Sequence, residues 1–407
     1  MSIERYTLAN GIRLVHKQNN GPVSHLGLLI NTGTRDESER EQGMAHFIEH
    51  VIFKGTKKRK AYHILNSLDN VGGDMNAYTT KEETCIYTSF LNPYYARSID
   101  LLSDICFNSV FPEKEIEKEK EVIYDEISQC QDTPSELIFD EFENLIFKGH
   151  SLGRNILGLK QSIRKIKRED ILRFIKKNYN TNEIVVSSVG NISFNKLIRY
   201  FERYFSDIPQ NLRIKERDIF NTYEPKEFTQ KRSNHQSHVI LGTIAYGYND
   251  ERHNILALLN TILGGSGFNC RLNMNIREKY GICYSLDSHY TTYFDTGVIN
   301  IYFATDNRSV DKVIQLIFKE LDKLKNEPLG SLQLLRAKNM VKGQMALANE
   351  SKLSEMLFLG KSILAYNKVD SIDDIYKKID HITANDLQQT ANEIFNESRF
   401  SRIIFKK

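Results

Sequence analysis

Two histidines, His46 and His50, stand four residues apart in the run His46-Phe47-Ile48-Glu49-His50. On a helix that spacing puts both imidazoles on one face, where they can reach a single cation. Glu49, three residues after His46, can touch a water on that cation without being a ligand itself, as in an H-x-x-E-H motif. The chemistry implied is water activation, with imidazoles that suit zinc and a carboxylate placed to take a proton. The bland alternative is the solvated face of a surface helix. A zinc that activates water needs a third protein ligand and one open position. Glu113, Glu115, Glu117, Glu119, Glu121 and Glu126 are all candidates, and residue type alone does not choose among them. Glu119 and Glu126 are seven residues apart and so share a helical face. Val122, Ile123 and Ile127 beside them suggest that this face looks inward, where glutamates require a positive partner.

The elements that would position these groups follow from apolar periodicity. Ile12 to His16 and His25 to Asn31 read as strands on either side of Gly21-Pro22. A charged loop, Thr32 to Glu41, leads into a helix from about Gln42 to Phe53 that ends at Lys54-Gly55-Thr56. A second helix runs from Tyr62 to Asn70, then strands from Asp74 to Thr79 and from Thr84 to Phe90. Tyr94 to Asn108 is helical, and Phe111-Pro112 opens a long charged helix reaching about Gln131. Ile184 to Val189 is a buried strand. Residues 209–230 are polar, carry Pro209 and Pro225 and show no sustained period, so they read as a linker between domains at 1–208 and 231–407.

The second stretch repeats the order. Ser237 to Tyr246 reads as a strand, Arg252 to Leu263 as a helix and Leu272 to Glu278 as helical. Cys283 to Tyr290 and Gly297 to Phe303 are strands, and helices follow at Ser309 to Asn326 and Ser331 to Asn349. The repetition predicts an α+β chain of two homologous α/β-sandwich domains, about 200 residues each, made by duplication. Opposite His46–His50 the second copy reads Leu256-Ala257-Leu258-Leu259-Asn260, and opposite Glu126 it has Gln344, so only the first domain is expected to hold metal. Gly264-Gly265-Ser266-Gly267 lacks the Gly-Lys-Ser/Thr of a phosphate loop and reads as a turn.

Composition narrows the class. A chain of 407 residues exceeds the ~250–300 at which one core stops growing, in keeping with two domains. A net charge of +3 with scattered lysines gives no argument for a nucleic-acid partner, and none is expected. Five widely spaced cysteines without a C-x-x-C pair predict neither a disulfide framework nor a cysteine zinc site. No apolar run reaches the ~18 residues of a membrane span, and Met1 to Asn20 does not read as a signal peptide, so a cytoplasmic protein without membrane attachment is expected.

The run His46 to Thr56 resembles the pitrilysin or insulinase family of zinc metallopeptidases, most closely the branch of mitochondrial processing peptidase and its bacterial relatives. The resemblance implies a third zinc ligand 76 positions after the second histidine, which is Glu126. The stretch Glu119 to Glu126 is similar to the family's distal motif, with Glu119 implied to orient a ligand rather than bind zinc. Gly72 to Thr79 looks like the family's substrate-pairing edge strand, which assigns Asn76, Ala77 and Tyr78 to peptide binding; Asp74 departs from a more usual Glu. Gly153 to Gly158 and Gly190-Asn191 also match the first-domain pattern. Arg277 to Tyr284 resembles the second signature, in which Arg277 and Tyr284 contact the substrate backbone and Tyr284 aids the oxyanion. The resemblance thus implies a zinc-dependent endopeptidase with one zinc per chain and Glu49 as general base, acting on unfolded or short peptides enclosed in a chamber. It further implies a homodimer whose active site is completed by the second chain. The competing expectation is a non-catalytic or partner-dependent subunit of a processing-peptidase-like complex.

Overall fold

The computed structural model describes residues 3–265 and 267–407; Met1, Ser2 and Ser266, the last within the run 264–267 expected to turn, lie outside the described residues. The chain forms two compact units: Met1–Ser128 with Arg154–Arg217 and Leu347–Val369, and Gln129–Gly153 with Asp218–Ala346 and Asp370–Lys407. Compactness therefore differs from the contiguous halves. Residues 129–153 and 347–369 each fold with the unit their apolar side chains can bury against.

The first unit is built on a six-stranded sheet of β1 (Ile3–Thr7), β2 (Arg13–Gln18), β3 (Val23–Ile30), β4 (Asp74–Thr79), β5 (Thr84–Leu91) and β6 (Ile184–Gly190). Its order is β1-β2-β6-β3-β5-β4, with β2 and β6 parallel and the other pairs antiparallel. Alternation along β3 decides the layers. Leu26, Leu28 and Ile30 enter the main core with α1 (Met44–Val51), α2 (Ala61–Asp69), α3 (Tyr95–Asn108) and α4 (Glu113–Asp132). The opposite face of the sheet is covered by the helix Lys352–Tyr366, whose Met356, Leu359 and Ile363 pack on Val15, Val185 and Val189. Gly27 and Gly360 permit that close approach: a Cβ at Gly27 would meet Met356 Sδ at 2.6 Å, and one at Gly360 would crowd Leu29.

The second unit has a five-stranded sheet of β7 (Glu227–Lys231), β8 (Ser237–Ala245), β9 (Cys283–Thr292), β10 (Gly297–Thr305) and β11 (Ser401–Lys406), in the order β7-β11-β8-β10-β9. Val239 and Leu241 face one core, while Ile240 meets Leu137, Ile138 and Phe142 of α5 (Pro134–Ile146) on the other side. Strand for strand, β11, β8, β10 and β9 repeat the pairing of β6, β3, β5 and β4, and β7 lies parallel to β11 as β2 does to β6. This is the pattern an internal duplication leaves.

β7 corrects the expected linker end: residues 227–231 are strand, not tether. All five are exposed, so no burial period marks them, and only main-chain pairing with β11 makes the strand. The segment Asn273–Glu278 is a π-helix rather than an α-helix. No helix among the described residues is long and apolar enough to cross a membrane.

One buried polar group in the first unit makes stability depend on pH. His16 on β2 is fully enclosed, with Nδ1 3.1 Å from Ser188 Oγ and Nε2 3.1 Å from the Ile192 carbonyl. Burial pushes its pKa down from 6.5 to about 4. The unfolded chain therefore takes up this proton first. The contribution is intact above pH 6.5 and is lost as pH falls towards 4, by about 3 kcal/mol at most. Urea unfolding of a His16→Asn variant should show a shallower loss of stability over that window than the wild type. Parallel curves would remove His16 as the cause.

Candidate metal centre

The helix that carries the motif is short, and its two faces divide cleanly. Met44, Ala45, Phe47, Ile48 and Val51 are buried in the core, which leaves His46, Glu49 and His50 together on the other side. Its start is fixed by an acceptor that lies outside the motif. Glu37 Oε2 accepts from the Gly43 N–H at 2.9 Å and Oε1 from the Ala45 N–H at 2.8 Å, satisfying donors that a helix N-terminus leaves open. Arg154 in turn donates to the Glu37 carbonyl. Gly43 (φ +88°) and Gly158 (φ +74°) need glycine here, since a Cβ on Gly158 would lie 2.6 Å from Gly43 Cα. Residues 153–158 thus buttress the metal helix, a role their sequence did not disclose.

α4 brings Glu126 to the histidines. Ligand atoms of His46, His50 and Glu126 all lie within 4.8 Å of one another. Glu126 Oε2 is 3.9 Å from His46 Nε2, and Oε1 is 3.6 Å from His50 Nε2. Tetrahedral zinc with ligands near 2.1 Å would place donors about 3.4 Å apart, so the two glutamate–histidine separations need only a slight contraction. Of the six glutamates weighed, Glu126 alone joins both histidines in this grouping among the described residues. Glu119 lies behind, with Oε2 3.2 Å from His50 Nδ1 and Oε1 2.6 Å from Lys54 Nζ. The expected inward face of α4 needs one correction. Ile116, Ile123 and Ile127 are buried with Glu119, but Val122 is 43% exposed. At 100° per residue, Val122 falls on the solvent side of Glu119 while the three isoleucines fall on the core side.

The electrostatics suit a cation. Burial, with the neighbouring His50 ring, pushes the His46 pKa down to about 4, so this imidazole is neutral at pH 7. Burial raises the Glu49 carboxyl above its usual range, and the Glu126 charge adds to the shift. Glu126 Oε2 and His46 Nδ1 are buried without a hydrogen-bond partner among the described residues. An enclosed carboxylate oxygen left in that state is costly, and a cation among the two imidazoles and this oxygen would relieve it. The residues present therefore fit zinc.

The other expected residues fall where their elements put them. Asn76, Ala77 and Tyr78 lie on β4, which pairs only with β5 among the described residues and so leaves an open edge. The Ala77 N–H is held by Asn76 Oδ1 at 2.8 Å, and the Tyr78 hydroxyl donates to Glu83 at 2.9 Å. In the second unit, Arg277 sits on the π-helix with Nη1 3.2 Å from Asn273 Oδ1, and Tyr284 is 78% exposed on edge strand β9.

Comparison with known proteins gives the family. Residues 13–160 match the family described as Insulinase (Peptidase family M16), and residues 165–341 match the Peptidase M16 inactive domain. Over 97% of its length the chain is 33% identical to a Bacillus subtilis protein named as the uncharacterized zinc protease YmxG, covering 96% of that protein. The chain belongs to peptidase family M16. Other M16 relatives include an uncharacterized zinc protease of Rickettsia bellii, 34% identical over 93% of this chain and 91% of the relative. The mitochondrial-processing peptidase subunit beta of Dictyostelium discoideum is 30% identical over 96% of this chain and 86% of its own length. A protease from Helicobacter pylori shares the fold with a TM-score of 0.91 at 21% identity, covering 100% of this chain and 99% of that one. In this M16 chain the insulinase match contains α1 and Glu126, and the inactive-domain match contains Arg277 and Tyr284.

Proposed function

We propose that this chain is a zinc-dependent endopeptidase acting on unfolded or short peptides, with zinc held by His46, His50 and Glu126. The observation that carries the reading is the convergence of those three side chains beside a half-buried carboxylate, Glu49, that is not one of them. Held by these three residues, zinc would supply Lewis acidity towards a peptide carbonyl and would lower the pKa of water to about 7.

The remaining work belongs to the protein. His46 is already neutral, so its ring nitrogen needs no proton removed before it can bind a metal. Glu119 accepts from His50 Nδ1 and thereby leaves Nε2 for the cation. Glu49, with its raised pKa, takes the proton of the attacking water and returns it to the leaving amine. The open edge of β4 can receive an extended peptide by main-chain pairing, once the Asn76 carboxamide releases the Ala77 N–H. Arg277 and Tyr284 supply a cation and a phenolic O–H suited to a peptide backbone and to a developing oxyanion. We assign them that role on the family resemblance, together with the homodimer that would complete each site from the second chain. Sizing the purified protein while following cleavage checks the assembly.

Metal analysis combined with a quenched-peptide assay tests the central reading. The purified protein should carry about one zinc per chain, and His50→Ala far less. Full zinc occupancy in Glu126→Gln would take Glu126 out of the ligand set. A zinc-loaded wild type that cleaves no unfolded peptide would point to the non-catalytic subunit instead.

A further inference from the structure

His46 and His50 belong to one site but are supported unequally. His46 Nδ1 is buried and has no hydrogen-bond partner among the described residues, whereas His50 Nδ1 faces Glu119 Oε2 at 3.2 Å. Beyond Glu119 stands a third charged group. Lys54 follows His50 by four residues, so the turn that ends α1 returns it to the same side, and its Nζ lies 2.6 Å from Glu119 Oε1. The Glu119 side chain is 10% exposed and that of Lys54 29%, so water competes weakly for the pair.

We infer that Lys54 is a positioning residue for the metal site, holding Glu119 so that the His50 ring presents Nε2 to the cation. The inference rests on the zinc reading of His46, His50 and Glu126. A carboxylate is only an acceptor, so the His50 nitrogen facing it must carry the proton. The other nitrogen then keeps its lone pair and faces Glu126 Oε1, 3.6 Å away. That order holds only while Glu119 stays turned towards His50. The Lys54 ammonium holds it there, pairing with the carboxylate and tying down the oxygen that His50 does not use. Without Lys54, one Glu119 oxygen loses its partner in a poorly hydrated position, and the carboxylate can turn away from His50. The His50 tautomer is then no longer selected. Among the described residues His46 Nδ1 has no comparable support, so the orientation of the His50 ring matters the more.

The test uses the metal-free full-length protein, titrated with zinc alone against a chromophoric chelator. Lys54→Met keeps the length of the stem and removes the charge. It should raise the zinc dissociation constant by about 10-fold, the low end of the ~10–100-fold seen when groups behind metal ligands are removed. Lys54→Arg should restore affinity close to the wild type. Lys54→Gln gives the same comparison should the methionine variant lose its fold. A second readout needs no metal. Nitrogen-15 spectra of histidine-labelled protein should show His50 protonated at Nδ1 in the wild type and as a mixture of tautomers in Lys54→Met, a change that mere loss of packing would not produce. Wild-type zinc affinity and an unchanged His50 tautomer in Lys54→Met, alongside weakened binding in Glu119→Gln, would overturn the role of Lys54 while sparing the site. Undiminished zinc binding by His50→Ala would instead overturn the zinc reading, and this inference with it.

Discussion

Glu49→Gln should keep its zinc and lose at least ~10²-fold in peptide cleavage. The amide has the size and shape of the carboxylate but cannot take a proton. Glu49 shares the polar face of α1 with His46 and His50, yet the metal-binding group is complete without it. The substitution should therefore separate binding from chemistry, with zinc content unchanged and kcat/KM reduced. It should not weaken the fold. Burial already raises the Glu49 pKa, so the charged form is held at a cost in free energy that the neutral amide removes. A melting temperature equal to or above that of the wild type would show that lost activity is not lost structure. Near-normal turnover by the zinc-loaded variant would assign the proton transfer to another group and end the mechanism proposed for Glu49.

The legible part of this site was the part written in local periodicity. His46, Glu49 and His50 share a face because α1 has a regular turn, and the buried stripe from Met44 to Val51 shows which face that must be. The elements around them were legible for the same reason, down to β4 at Asp74–Thr79. Glu126 was different. Residue types left six glutamates open, and family resemblance chose one that the structure then brought to the histidines. What periodicity cannot encode is the partner of a side chain far away in sequence. The helix Lys352–Tyr366 was not read from the sequence at all, and nothing local says that Met356 will pack on the sheet of the first unit. Nor does one glutamate of a charged loop announce that it will accept from N–H groups of a helix six and eight residues on, as Glu37 does. The polar run after Pro209 is the clearest case. Lacking any hydrophobic period, it reads as a tether, yet its arginines are engaged by a charged loop more than 170 residues earlier.

That engagement leads to a large effect on stability: Asp36→Ala should cost about 3 kcal/mol, the low end of the range for breaking a buried ion pair. Asp36 Oδ1 accepts from Arg213 and, at 3.0 Å, from Arg217 Nε, while Oδ2 lies 2.7 Å from Arg217 Nη2 and accepts from the Gly33 N–H at 3.0 Å. Burial works to raise its pKa, but the two guanidinium groups outweigh burial and hold the carboxyl below its ordinary range. Its contribution is therefore present at neutral pH and lost as the solution is acidified through that range. The low end is expected because Arg217 keeps other acceptors, the Glu82 carbonyl at 2.7 Å and the Asn31 carbonyl at 3.1 Å. Chemical unfolding at pH 7 measures the cost, and the gap between Asp36→Ala and the wild type should close as pH falls. Adding Arg217→Ala should cost less than the two single changes together, since both break one cluster. Limited proteolysis supplies a local readout: residues 209–217 should become cleavable in Asp36→Ala under conditions that spare the wild type. The consequence reaches the metal helix, because Glu37, which accepts from the first N–H groups of α1, is the next residue in the chain. Zinc should then leave Asp36→Ala at a lower temperature than it leaves the wild type. A loss below 1 kcal/mol with unchanged proteolysis would return this segment to the idle tether its composition suggests.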